Sequence, residues 1–346
     1  MGEIYNTLLK SEGFLNLEAL ENDLYSDGSS KKEVFNTIGN ALLENSSLKL
    51  KHADMERLGI NPSLPPLVNL IHAKEIAKSK GPNIYISCMP KSGSSFLAHS
   101  IANGLNHSFS LLTSSRNTNP SYFGINPREQ ELCELALIKN LLVNANTSIV
   151  AQHHTKASPY TVQVLSAYNF RLIVLIRNIF DVLVSADDMW MNADMSNPKN
   201  NWSNILPLNY NKMKRDFRYK ILAQSLGIWC IQFYVSWLRQ KKMGTKYLEI
   251  SYDTHIALDG GDKIKLAQKI KDFLILNSTD AKNLTKALIG DELDEKSTRF
   301  NKGTTKRGKK IPAEVKRFLV NYTKMFSDEL NKDDYLKLFG KGFETY

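Results

Sequence analysis

Asn83-Ile-Tyr-Ile-Ser-Cys-Met89 and the seven residues after it, Pro90-Lys-Ser-Gly-Ser-Ser-Phe96, decide how this chain folds. The first is a short apolar run entered from Gly81-Pro82 and stopped by Pro90, the pattern of a buried central strand. Past the loop, Phe96, Leu97, Ile101 and Leu105 recur at helical spacing. A strand, a short loop and a helix in that order make a phosphate site. Backbone N–H groups converge at the helix start, and the positive end of the helix dipole adds to their pull. Within the loop, Gly93 lets the backbone approach a ligand closely. Ser94 and Ser95 add hydroxyl donors, and Lys91 supplies a compact charge. Lys91 precedes Gly93, whereas the Walker A loop of ATP-binding proteins places its lysine after the last glycine.

Outward from the loop, strands and helices alternate. Glu129 to Asn144 reads as a helix, and Thr147-Ser-Ile-Val-Ala-Gln152 as a strand ending in His153-His154. Arg171-Leu-Ile-Val-Leu-Ile176 is fully apolar after its first residue, as a parallel strand covered on both faces requires, and Arg177 ends it. The pattern turns helical from Asp181. An Asn-rich stretch from Asn192 to Asn211 reads as a long loop suited to an acceptor site, with Trp202 and Tyr210 as its aromatic residues. A long amphipathic helix is predicted over 219–243, a strand over Lys246 to Ile250, and helices over Lys263 to Leu276 and Ala313 to Leu330. Such alternation implies an α/β fold: a central parallel sheet flanked by helices, with ligands beyond the carboxyl ends of the strands. Residues 1–80 are polar and helical in pattern and read as an N-terminal extension; 81–346 form the main domain.

Composition sets the outer bounds. Among 346 residues, 42% hydrophobic and 23% charged match a globular protein with a substantial core. Forty-five basic residues against 35 acids give a formal charge of +10, which suits an anionic ligand. The bases are spread along the chain apart from Lys306-Arg307-Gly-Lys309-Lys310, and no nucleic-acid module signature appears, so no nucleic-acid partner is expected. Cys88, Cys133 and Cys230 are far apart and form no metal-ligand pattern; no metal is expected. Neither a leader-like N-terminus nor a membrane-length apolar run is seen, and a cytoplasmic location without a membrane span is the expectation.

The loop resembles the 5′-phosphosulfate loop of sulfotransferases, commonly Pro-Lys-Ser-Gly-Thr-Thr-Trp, with Ser94, Ser95 and Phe96 as conservative departures. A second stretch, Arg177-Asn-Ile-Phe-Asp181-Val-Leu-Val-Ser185, is similar to that family's 3′-phosphate motif, in which an arginine at a strand end and a serine eight residues later hold the phosphate. Ile179 stands where many members carry proline. A guanidinium can grip phosphate through two parallel hydrogen bonds and a hydroxyl adds a neutral donor, which explains the residue types. Asp181 is read as structural at the helix start. More loosely, Arg299-Phe-Asn301-Lys302-Gly303 with Lys306-Arg307-Gly308 is similar to the C-terminal segment that closes over the nucleotide, with Asn301 in place of the usual arginine. Leu248-Glu-Ile-Ser-Tyr252-Asp253 resembles a strand end of the family and is taken as structural.

The resemblance implies a P-loop-like nucleotide-binding fold and a co-substrate, 3′-phosphoadenosine 5′-phosphosulfate (PAPS), with no metal. Lys91, Ser92, Gly93, Ser94, Ser95 and Phe96 would hold the 5′ end, with Phe96 against adenine. Arg177 and Ser185 would hold the 3′-phosphate, and Arg299, Asn301, Lys302 and Gly303 would close the site. The family's base is a histidine at the end of the preceding strand. His154 is preferred because its distance to Arg177 is nearer the family's spacing, with His153 in reserve, since strand neighbours face opposite ways. Lys91 would stabilise the leaving oxygen. The acceptor would be a small molecule or carbohydrate bearing a hydroxyl or amine. An ATP-dependent kinase with a related loop, and a nucleotide- or nucleic-acid-binding protein without activity, are the alternatives.

Overall fold

The computed structural model describes residues 73–79, 81–112, 132–144, 146–192, 206–207, 209–257, 261–290 and 303–346, and two short strands, Gly13–Phe14 and Leu48–Lys49. The chain divides into units Met1–Ile76 and Ala77–Tyr346. In the first unit the two strands pair in parallel, Gly13 with Leu48 and Phe14 with Lys49. The helical pattern read across the rest of 1–72 lies outside the described residues.

Among the described residues of the second unit, β1 (Asn83–Cys88), β2 (Ser108–Ser110), β3 (Ile149–His153), β4 (Phe170–Ile176) and β5 (Tyr247–Ser251) form one sheet in the order β2-β3-β1-β4-β5. Every neighbouring pair is parallel. Helices α1 (Ser94–Leu105), α2 (Glu134–Val143), α3 (Pro159–Ala167), α4 (Ile179–Met191) and α5 (Arg215–Lys242) alternate with the strands. After β5 come the short α6 (Tyr252–His255), then α7 (Lys263–Leu274), α8 (Ser278–Ile289), α9 (Ala313–Thr323) and α10 (Lys332–Phe339). This is an α/β fold with a central five-stranded parallel sheet flanked by helices.

The β1 sequence explains its central place. All six of its residues are buried. Ile84, Ile86 and Cys88 join a core cluster with Leu97 and Ile101 of α1, Leu266 and Ile270 of α7, and Leu284 of α8. The alternate residues Tyr85 and Ser87 face the other way, where Ser87 meets Trp237 of α5. A strand covered on both faces cannot afford a polar alternation, so the run reads as nearly continuous apolar sequence. Helix α5 is long and apolar enough to cross a bilayer by length and composition, but 61% of its most apolar stretch is buried inside the protein. Trp229, Phe233 and Trp237 on it are at most 1% exposed, as in a core helix.

The chain leaves β1, builds β2 and β3 on one side, then crosses to β4 and β5 on the other. The carboxyl end of β1 is therefore a switch point of the sheet, where open α/β sheets form their ligand crevice.

Candidate functional site

The loop 90–93 follows β1 at that switch point. Lys91 and Gly93 both have positive φ, 63° and 78°, flanking Ser92. Such left-handed turns belong to the backbone concavities that gather N–H groups around anions. At 91 the conformation is costly for a residue with a side chain, of order 1–3 kcal/mol. At 93 glycine is required twice over, because a Cβ there would stand 3.0 Å from both Tyr252 Cδ2 and Ile256 Cγ2. Gly93 is the N-cap of α1 and offers no side-chain cap, which leaves the first N–H groups of a twelve-residue helix without an intrahelical acceptor. Ser92 is spent within the loop, donating to the Met89 carbonyl at 2.5 Å. Ser94 is buried and Ser95 half-buried at the helix start. Phe96 is half-buried against the core cluster, with Lys263 Nζ 5.2 Å from its ring centre.

Arg177 follows β4, the strand beside β1. Its guanidinium donates to the Lys91 carbonyl at 2.6 Å and the Thr304 carbonyl at 2.9 Å, and stands 4.0 Å over the Tyr252 ring. Three segments thus meet on one side chain: the loop 90–93, the start of 303–310, and the residue just past the end of β5. Arg177 is 4% exposed and its buried Nε has no hydrogen-bond partner. Burial lowers its pKa, opposed by Tyr252, Asp181 and Asp253. Ser185 lies two turns along α4 and is buried.

Helix α4 starts where Asn178 caps it, accepting from the N–H groups of Phe180 and Asp181, while Asp253 Oδ2 accepts the Asn178 N–H at 3.0 Å. Burial raises the Asp253 pKa, opposed by that N–H and by Arg177. Asp181 serves structure, as its place in the first helical turn suggested: Oδ1 accepts the Gly308 N–H at 2.7 Å. A Cβ on Gly308 would come within 2.4 Å of Phe180 Cβ, so the basic segment lies directly on α4. Further along, Asp188 pairs with Arg307, and Asp187 is gripped by Arg218 at 2.7 and 2.9 Å. Met189 Sδ stands 3.6 Å from Lys91 Nζ. Among the described residues no group of three His, Cys, Asp or Glu gathers as a metal site.

The two histidines at the end of β3 differ in kind. His153 is wholly buried, stacks obliquely on Tyr85, and its Nε2 accepts the Leu112 N–H at 3.0 Å. Its lone pair is thereby committed to backbone, and burial pushes its pKa down to about 3. His154 is 7% exposed, and its Nδ1 lies 2.9 Å from the Cys88 carbonyl. A carbonyl only accepts, so Nδ1 carries the proton and Nε2 the lone pair. Cys88 ends β1, three residues before Lys91. His154, the loop and Arg177 therefore stand at the ends of the adjacent strands β3, β1 and β4.

No protein-family model matches the chain, and no curated protein matches it in sequence. Among solved structures it is similar to mouse sulfotransferase SULT7A1 complexed with PAP, at 17% identity and a TM-score of 0.48, over 79% of this chain and 92% of that one.

Of the residues the sequence singled out, Lys91 to Phe96, His153, His154, Arg177, Ser185 and Gly303 fall in the described part; Arg299, Asn301 and Lys302 lie outside it. Most of the expected acceptor loop, Trp202 included, is outside as well. Tyr210 is packing: it is fully buried, donates to Asp187 at 2.7 Å and sits edge-on to Trp190. Sequence reasoning set aside Tyr252 and Asp253 as structural, yet both border Arg177. Their position just beyond a strand's carboxyl end was the available signal.

Proposed function

We propose that the protein is a sulfotransferase that moves the sulfuryl group of PAPS to a hydroxyl or amine of a small-molecule or carbohydrate acceptor. The observation that carries this reading is the convergence of the phosphate loop, Arg177 and His154 at the ends of three adjacent strands. The residues suit such a nucleotide. Left-handed turns at 91 and 93 and the uncapped start of α1 fit the 5′ end. Arg177, with one N–H still unmatched, fits the 3′-phosphate.

In the proposed reaction the acceptor oxygen attacks sulfur in line, forming an O–S bond as the bond from sulfur to the bridging phosphate oxygen breaks. His154 Nε2 takes the acceptor's proton. The electron pair of the broken bond leaves on 3′-phosphoadenosine 5′-phosphate, where Lys91 neutralises the growing charge. Positioning and charge then supply most of the acceleration, and no metal step is needed. The cytoplasmic setting expected from the sequence is part of the same proposal.

Transfer of labelled sulfate from PAPS to a panel of sugars, phenols, aliphatic alcohols and amines tests the reading. Labelled product that disappears on His154→Ala supports it. No transfer to any acceptor, with labelled phosphate moving from ATP instead, would replace it with the kinase reading.

A further inference from the structure

The residue after the base is held more firmly than its lack of secondary structure would require. Thr155 is 4% exposed and lies past the end of β3. Its carbonyl accepts from Ser87 Oγ at 2.6 Å and from Trp237 Nε1 at 3.1 Å, and the indole N–H also reaches Ser87 Oγ at 3.1 Å. Its hydroxyl is 2.9 Å from the Tyr85 hydroxyl, whose pKa burial raises, so Tyr85 stays protonated. The next two residues are held from the same helix. Ser236 Oγ accepts the Ala157 N–H at 2.9 Å, and Gln232 Oε1 meets Lys156 Nζ at 3.5 Å. Gln232 and Ser236 stand four residues apart on α5, the spacing where helix neighbours align, and Trp237 is the next residue.

A buried indole needs a partner for its N–H, and one carbonyl would meet that need. Here the N–H is shared between two groups that are themselves bonded, at the residue joined to the proposed base. Two groups of opposite character face the Nδ1 of the adjacent imidazole: the Cys88 carbonyl at 2.9 Å, which accepts a hydrogen bond from it, and the Cys88 thiol at 3.3 Å, whose S–H can donate to an unprotonated Nδ1 and so move the ring proton to Nε2. A fixed backbone at 154–155 holds the ring on the carbonyl, and with it the lone pair on Nε2.

Resting on the reading of His154 as the base, we infer that Trp237 is a positioning residue. Through Thr155 its indole N–H sets the orientation and tautomer of His154.

Trp237→Phe removes the N–H and keeps a buried aromatic ring. Phe233→Leu, one turn earlier on α5 and equally buried, is the packing control. Nitrogen-15 NMR of the histidine rings reads the tautomer without substrate, and kcat and KM with PAPS are measured in parallel. In the unaltered protein His154 should show a single Nδ1–H tautomer. Trp237→Phe should give a mixture, with kcat down about tenfold and KM for PAPS within about twofold, while Phe233→Leu keeps the single tautomer. A single tautomer in Trp237→Phe, or the same mixture in both variants, overturns the inference. If Trp237→Phe does not fold, Ser87→Ala leaves the indole N–H on the Thr155 carbonyl and should keep the single tautomer, and a mixture there overturns the inference. If the unaltered protein transfers no sulfate, the functional reading falls, and the ring spectra alone decide the role of Trp237.

Discussion

Arg177→Lys keeps a positive charge at the end of β4 and deletes the planar fork. The side chain is 4% exposed, donates to two carbonyls at 2.6 and 2.9 Å, and lies 4.0 Å over Tyr252. A hydrogen bond from a charged donor contributes about 1.5–3 kcal/mol, and a lysine can recover one of the two. Loss of the ring contact removes about 0.5–2 kcal/mol more. The sum is a destabilisation of about 2–5 kcal/mol, concentrated at the point where the loop 90–93, 303–310 and the end of β5 meet. For a unit of this size each kcal/mol moves the melting temperature by roughly 2–4 °C, so a fall of about 4–20 °C is expected. Urea denaturation should show a lower midpoint at unchanged slope. The Lys91 backbone, left-handed and held by Arg177, loses that restraint, so nucleotide affinity should fall as well. A melting temperature within about 2 °C of the unaltered protein, with an unchanged urea midpoint, would refute the clasp role given to Arg177.

Lys91→Ala should lower kcat by about a hundredfold or more while leaving the dissociation constant of 3′-phosphoadenosine 5′-phosphate within a few-fold; equal losses would remove its role on the leaving oxygen. His154→Ala should lower activity by about 10²–10⁴-fold, whereas His153→Gln, which keeps an acceptor for the Leu112 N–H, should leave kcat within a few-fold. The same His153→Gln variant tests a pH effect. The folded pKa of about 3 lies below the ordinary 6.5, so the unfolded chain binds the proton first and stability falls as pH drops through that window. At pH 5 the loss is about 2 kcal/mol, and urea titrations at pH 7 and 5 should show it in the unaltered protein and not in the variant. Gly308→Ala places a Cβ against Phe180, and it should speed tryptic cleavage at 306–310 by about tenfold through local opening while far-ultraviolet dichroism stays unchanged.

The main lines of the fold were legible because burial on both faces leaves its mark on composition. Asn83 to Cys88 and Phe170 to Ile176 are short, mostly apolar runs, and helices α1, α4, α5 and α7 carry their periodicity openly. Strand β2 was not foreseen: Ser108-Phe-Ser110 is three residues long at the sheet edge, too short for alternation to register. Helix α3 was also missed, although Ser158 caps it and Pro159 occupies its first turn, both readable start signals. At the site, the loop and Arg177 stood out because glycine, lysine and arginine at strand ends have few structural uses. The contributions of Tyr252, Asp253, Thr155 and Trp237 did not, because each depends on contacts between elements 70 or more residues apart. The choice between His153 and His154 was open in the sequence for a similar reason. It turns on which ring nitrogen meets which backbone group, and Leu112 and Cys88 are each about 40 or more residues away.

The central claim is that the crevice at β1 and β4 recognises a nucleotide through both its 5′ and 3′ phosphates. Isothermal titration of the full chain with 3′-phosphoadenosine 5′-phosphate, with AMP and with ADP plus magnesium measures this without knowledge of the acceptor. The account predicts that the doubly phosphorylated nucleotide binds about a hundredfold or more tighter than AMP, a difference of ~2.7 kcal/mol, and that Arg177→Lys erases most of that margin. ADP with magnesium binding as tightly as 3′-phosphoadenosine 5′-phosphate, or a margin unchanged in Arg177→Lys, would contradict it.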